Sequence, residues 1–236
     1  MSQEFEYMLY ELDIRYTNEM LEQFQRYYDI LIEWNKVMNL TGITEHAEVI
    51  SKHFIDSLSI VKAIDMNRIS NLIDIGTGAG FPGIPIKIVF PHVKVTLLDS
   101  LKKRIKFLDT VIEELDIQDI NAVHGRAEEF ANQKSYREKY ELCVSRAVAN
   151  LASLSEYCLP FVNIGGNFIS YKSADIEDEL NTSKNAIKIL GGKIKEVNKF
   201  QLPATDITRS LVVVNKIKKT DSKFPRRAGI PTKEPL

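Results

Sequence analysis

Ten residues restrict the fold more than any others in this chain: Asp74-Ile75-Gly76-Thr77-Gly78-Ala79-Gly80-Phe81-Pro82-Gly83. They follow directly on Leu72 to Ile75, an apolar run with the length and composition of a buried strand. Alternating glycines let the backbone turn sharply and let a ligand approach it with no side chain between. Open α/β sheets bind their ligands at such turns, beyond the carboxyl ends of the strands. The rest of the sequence agrees. Apolar runs at Val93–Leu98, Ile120–Val123, Glu141–Val144 and Asn167–Tyr171 alternate with helical stretches. The clearest helical stripes are Ile105, Leu108, Ile112, Leu115 and then Ile176, Leu180, Ile187, Leu190, the second ended by Gly191-Gly192. This alternation predicts a doubly wound, mostly parallel α/β sheet covered on both faces. Two last runs, Lys193–Leu202 and Ser210–Ile217, have no helix between them and predict an antiparallel edge.

The first seventy residues carry helical periodicity instead. Leu21, Phe24, Tyr28, Leu31 and Trp34 mark one helix, with Thr17 or Asn18 as its cap. Ile50, Phe54, Leu58 and Val61 mark a second, after Thr44, and Asn39-Leu40-Thr41-Gly42 breaks the chain between them. The expected division is a helical extension packed on the core over 1–66, a ligand-binding α/β domain over 67–219, and a basic tail over 220–236. At 236 residues and 44% hydrophobic, the chain can bury a core without disulfide or metal staples. Nothing approaches the roughly 18 consecutive apolar residues of a membrane span. The acidic start, Met1 to Glu6, lacks the pattern of a signal peptide. Cys143 and Cys158 are the only cysteines, without a Cys/His cluster, which argues against a disulfide scaffold or a structural zinc. A cytoplasmic, metal-free protein is expected. Its net charge of −1 hides an asymmetry. Lys216, Lys218, Lys219, Lys223, Arg226, Arg227 and Lys233 face only Asp221 and Glu234 at the end of an acidic body. Such an end suits a phosphate-bearing partner, or is a solvated tail.

Asp99 ends the second strand pattern, where a carboxylate can accept hydrogen bonds from both hydroxyls of a ribose. The glycine spacing is not the G-x-x-G close of a dinucleotide loop, because position 81 is Phe, and no Gly-Lys-Ser/Thr follows for a triphosphate. A glycine loop led by an acid and followed by a strand-end acid is the arrangement of class I S-adenosylmethionine-dependent methyltransferases. After the fourth strand, Val144-Ser145-Arg146-Ala147-Val148 lacks the Asn/Asp-Pro-Pro-aromatic loop common in exocyclic amine methylation. No Pro precedes either cysteine, as is typical of pyrimidine-carbon methylation, which needs a Cys nucleophile; Cys143 reads as a small buried residue. A ring nitrogen such as guanine N7 needs neither device, only alignment and placed charge. No donor can then occupy N7, so Arg146 is expected at the cofactor, at O6 alone or at a phosphate, rather than in its common two-point grip on guanine. A structural ion pair is the alternative for Arg146.

Asn39-Leu40-Thr41, His53 to Leu58, Asp74 to Pro85, Leu98-Asp99-Ser100, Gly125 to Glu129, Ser145-Arg146-Ala147 and Pro225 to Pro231 occur in this order. Together they closely resemble the bacterial 16S ribosomal RNA guanine-N7 methyltransferases, the RsmG or glucose-inhibited division protein B family, nearly from end to end. The resemblance implies a Rossmann-like seven-stranded sheet and transfer of methyl from S-adenosyl-L-methionine to guanine N7 near the decoding site. It places cofactor contacts on Gly76, Phe81, Ala127, Glu128 and Arg146, beside Gly78, Gly80 and Asp99 of the loop and strand end. Glu128 and Glu129 also fit a solvated first turn of a helix. The catalytic group is not identified, and Arg146 and Lys172 are the candidates. RNA contacts are expected from His53, Asp56, Lys172, Arg209, Arg226 and Arg227, although His53 and Asp56 also fit a packing pair. The implied partner is 16S rRNA in a 30S subunit or assembly intermediate, met by a monomer. Ser173 stands where the family usually has Gly, and Arg227 where Lys is frequent.

Overall fold

The computed structural model describes residues 1–146 and 148–236; Ala147, the last residue of the Ser145-Arg146-Ala147 motif, lies outside the described residues. Strands β1 (Asn71–Ile75), β2 (Lys94–Asp99), β3 (Ile120–His124), β4 (Tyr140–Arg146), β5 (Val162–Ser173), β6 (Gly192–Gln201) and β7 (Thr208–Lys216) form one seven-stranded sheet. Its order is β3-β2-β1-β4-β5-β7-β6. The first five strands pair in parallel, whereas β7 runs antiparallel to both β5 and β6. Every apolar run read from the sequence is a strand. The order reverses between β1 and β4, which puts the glycine loop after β1 at the switch point where ligands bind.

Side chains alternate across the sheet, as a period of two requires. Leu72 of β1, Leu142 and Val144 of β4, and Leu211 and Val213 of β7 face one core. Ile73, Cys143, Val212 and Val214 face the other. The first core is roofed by α1 (Gln3–Glu11), α2 (Asn18–Met38), α3 (His46–Val49), α4 (Asp56–Leu58), α5 (Gly83–Val89) and α6 (Lys102–Glu114). On the other side lie α7 (Ala127–Phe130), α8 (Leu151–Cys158), α9 (Glu177–Ile189) and, resting on α8, α10 (Ile230–Lys233). Among the described residues no helix is long and apolar enough to cross a membrane.

Three local expectations change. Thr17 does cap α2, its Oγ1 accepting from the Met20 amide, but the buried stripe is Phe24, Tyr27, Ile30 and Leu31, with Tyr28 at the rim. The second helical pattern is not one α-helix. It starts after Glu45 rather than Thr44, without a side-chain cap, and widens into a π turn over Ile50–Ile55 before α4 and a 3-10 turn over Ser59–Lys62. Such turns are rare and recur at functional sites. Finally, the basic end is not a solvated tail. Phe224 and Pro225 are buried, Arg137 donates to the carbonyls of Thr220 and Phe224 at 2.9 Å each, and Arg226 pairs with buried Glu156.

Candidate active site

The glycine loop is tied down by two carboxylates. Asp74, fully buried, accepts at Oδ2 from Thr77 Oγ1 (2.7 Å) and from the Gly83 amide (2.9 Å), so one oxygen holds both ends of the loop. Its Oδ1 is buried without a partner, and burial pushes its carboxyl up to about 7. Asp99 accepts from the Leu101 amide at Oδ1, and from the Gly78 amide (2.9 Å) and Arg104 Nη1 (3.0 Å) at Oδ2. One lone pair of Oδ1 therefore remains for a ligand.

Gly76 takes φ +70, in the left-handed region, and a Cβ there would lie 2.6 Å from Val148 Cγ2. Bare backbone is needed for direction and for clearance. Gly80 is different: a Cβ would meet Ile84 Cδ1 at 2.5 Å and the Tyr27 hydroxyl at 2.7 Å. Gly80, expected among the cofactor contacts, lines neither cavity of the site and packs instead against Ile84 of α5 and Tyr27 of α2. Tyr27 reaches across from α2 to donate to the Ala79 carbonyl.

Two cavities meet at the loop. The larger, about 710 Å³, is walled by Gly76, Gly78, Phe81, Asp99, His53, Asp56, Arg146, Lys172 and Arg209, with Thr41, Lys52 and Arg104. The smaller, about 150 Å³, is walled by Gly125, Arg126, Ala127, Glu128 and Tyr157. Gly76, Asp99 and Ser100 belong to both, so the strand-end acid stands at the junction of two arms.

Phe81 is the floor of the larger arm. The His53 ring stacks on it at 4.5 Å, Tyr27 stacks at 5.3 Å, and the Arg146 guanidinium lies 5.2 Å from its centre. Burial first, then the guanidinium beside it, lower the His53 pKa to about 4, so the ring is neutral at pH 7. Arg146 Nη1 donates to Asp56 Oδ2 (2.7 Å) and to the Lys52 carbonyl in the π turn (3.3 Å), while Nη2 lies 3.4 Å from His53 Nδ1. Asp56, only 3% exposed, uses its other oxygen for Arg209 Nε at 2.9 Å. The carboxylate thus bridges two arginines from β4 and β7, a constellation that brings together three of the sequence-read candidates.

The other candidates divide. Lys172 lines the larger cavity, but its ammonium donates to the Ala149 carbonyl (2.9 Å) and to Glu179 (2.6 Å). It anchors the starts of α8 and α9. Ser173 simply ends β5, paired in register with Arg209. Arg226, expected at a phosphate, donates to Glu156 from its amide, Nε and Nη2, and from Nη2 to the Glu234 carbonyl, and so stands in this structure in a buried ion pair. Arg227 is exposed and in no ion pair among the described residues. Glu128 lies buried in the first turn of α7, and Glu129 is exposed there. Sequence reading missed Arg104, Tyr157 and Val148. Only Arg104 left a trace, as a cation in the first turn of α6, where the helix dipole disfavours one.

A family model described as rRNA small subunit methyltransferase G matches residues 20–212. The ribosomal RNA small subunit methyltransferase G of Alkaliphilus metalliredigens is 51% identical, covering 96% of this chain and 95% of that protein. Its counterpart in Acetivibrio thermocellus is 53% identical, over 94% of this chain and 91% of that one. Among solved structures, the Methanococcus jannaschii fibrillarin pre-rRNA processing protein superposes with a TM-score of 0.51 over 67% of this chain and 73% of its own, at 17% identity, a likeness of fold.

Proposed function

Since the chain belongs to the rRNA small subunit methyltransferase G family, we propose that it methylates N7 of one guanine in 16S rRNA, near the decoding site, using S-adenosyl-L-methionine. The observation that carries the reading is the pair of cavities joined at Asp99, inside a match that runs almost end to end. The residues present fit that cofactor. Asp99 retains a lone pair for ribose hydroxyls, and Gly76 presents its backbone at the junction of the two arms. Ala127 and Glu128 wall an arm sized for a base, and Phe81 floors the other. When bound, the cofactor supplies an electrophilic methyl on a sulfonium.

The chain's own part is alignment and control of charge. Guanine N7 carries an in-plane lone pair and no proton, so no general base is required. Arg146 has Nη1 committed to Asp56 and Lys52 and Nη2 beside His53, which leaves N7 unobstructed by a two-point grip. His53 is held neutral, so no histidinium opposes the positive charge that the guanine acquires. Around the larger cavity Lys52, Arg104, Arg146, Lys172 and Arg209 face Glu48, Asp99, Asp56 and Glu179, one more cation than carboxylates, which favours a phosphate-bearing ligand. Residues 1–66 supply the π-turn wall of this arm, and 67–219 the cofactor wall. The target base must leave its stack, at a cost of a few kcal/mol that an open loop reduces. The substrate is therefore partly assembled RNA in a 30S particle.

The experiment is incubation with labelled S-adenosylmethionine and unmethylated 30S subunits, followed by mass mapping of rRNA fragments. One methyl on one 16S guanine, at N7, is expected. Label on protein, on another atom, or equally on a bare stem-loop overturns the reading.

A further inference from the structure

We propose that Phe224–Lys233 is a strap that positions the wall of the smaller cavity, so that Arg226 and Thr232 of this basic segment set affinity for the cofactor rather than for RNA. The inference rests on the cofactor reading above and adds residues to it.

Two side chains of that wall, Glu128 and Tyr157, are held from behind by this segment. The Gly229 amide donates to Glu128 Oε1 at 3.1 Å, and the Tyr157 hydroxyl lies 2.6 Å from Thr232 Oγ1. Both contacts cross long stretches of chain, and among the described residues the only local charge contact to Glu128 is the half-exposed Arg126 guanidinium at 3.6 Å, so the strap supplies the hydrogen bonds that fix these side chains. Gly229 has φ +84, yet a Cβ there would meet nothing within 4 Å. Its glycine is required for backbone direction, and the direction it provides aims the amide at Glu128. Glu128 Oε2 has no protein partner among the described residues and is left for a ligand.

The strap is itself fastened. Glu156, 1% exposed on the side of α8 next to Tyr157, receives Arg226 through its amide (2.7 Å), Nε (3.0 Å) and Nη2 (2.7 Å). Ser153 Oγ donates to the Pro231 carbonyl at 2.6 Å, and Arg137 to that of Phe224. Two residues of α8, Ser153 and Glu156, together with Arg137 ahead of β4 therefore hold the strap, and the strap holds two residues of the wall. Side chains fixed at folding lose no further freedom when a ligand arrives, which is how preorganisation raises affinity. Arg226 spends its amide, Nε and Nη2 on buried Glu156 and the Glu234 carbonyl, which ties it to the strap rather than to an RNA phosphate in this proposal.

Calorimetric titration of S-adenosylmethionine into the full chain tests this, with KM for cofactor and for 30S subunits measured alongside. Thr232→Val removes one exposed hydroxyl, and Arg226→Gln removes the fork to Glu156. Each is expected to weaken cofactor binding about three- to tenfold and raise its KM in parallel, with KM for 30S subunits moving less than twofold. Arg226→Lys restores part of the loss, because an ammonium keeps the charge without the fork. Should Arg226→Gln fail to fold, Thr232→Val decides alone. Cofactor affinity equal to the parent protein in these variants overturns the strap, as does a rise confined to KM for 30S subunits. A parent protein that does not bind S-adenosylmethionine at all overturns the functional reading beneath it.

Discussion

Replacing Asp56 by Asn tests the bridge between Arg146 and Arg209. The carboxylate is 3% exposed and accepts at 2.7 Å and 2.9 Å from two guanidinia. Asn keeps the shape, but it withdraws the charge and turns an NH2 toward a group that only donates. Removing one partner of a buried pair costs about 3–5 kcal/mol. Here the guanidinia are 14% and 26% exposed and reach cavity water, which lowers the expectation to about 2–3 kcal/mol. For a chain of this length that corresponds to a fall of roughly 4–12 °C in Tm. Added salt should restore little of it, because buried pairs are weakly screened. Turnover should fall with it, since the Phe81–His53–Arg146 stack loses its lateral tie. Non-specific RNA binding should rise, because two cations lose their counter-charge. Differential scanning calorimetry of Asp56→Asn, Arg209→Gln and the double variant completes the test. A coupling of about 1–2 kcal/mol is expected. A Tm drop under 2 °C, or strict additivity, refutes the bridge.

Gly76→Ala should weaken S-adenosylmethionine binding at least tenfold, by about 1–2 kcal/mol of left-handed strain plus the Cβ that intrudes toward Val148; an unchanged dissociation constant would sink this. With its pKa lowered to about 4, His53 takes up no proton in the folded state as pH falls through 6.5, while the unfolded chain does. Its contribution is therefore lost on acidification, by about 2 kcal/mol at pH 5, and urea melts of His53→Gln against the parent should show that slope missing. Asp74 has the opposite sign, its raised carboxyl favouring the folded state at low pH and losing that advantage as pH rises through about 7, but it is common to both proteins and cancels. Tyr27→Phe should cost about 1 kcal/mol for the bond to Ala79, read from the same melts. Arg227→Gln should lower the slope of log affinity for RNA against log salt by about one; an unaltered slope removes Arg227 from the interface.

The sheet was legible because burial on two faces writes itself as short apolar runs, and all seven runs are strands. The loop and Asp99 were legible because their chemistry is local, with glycine spacing and a strand-end acid. What was not legible depends on contacts between residues distant in the chain. Arg226 reads as a free cation until Glu156, 70 positions away, appears beside it. Gly80 reads like Gly76 until Tyr27 and Ile84 occupy the space around it. The helix through Ile50 has no residue that marks a π turn, since the turn answers to Arg146 of β4. Tyr28 and Tyr27 are equally good members of a helical stripe, and only the position of Phe81 chooses between them.

The strap also bears on the order in which the molecule can be made. Gly229 meets Glu128 across 101 positions, and Arg226 meets Glu156 across 70. A chain emerging from its own ribosome can assemble β1 to β5 and the glycine loop long before residue 224 is translated. The base-holding arm stays unsupported through all of that time. Thr220 and Phe224, which follow β7, are themselves buried, so the last seventeen residues complete the second core as well as this arm.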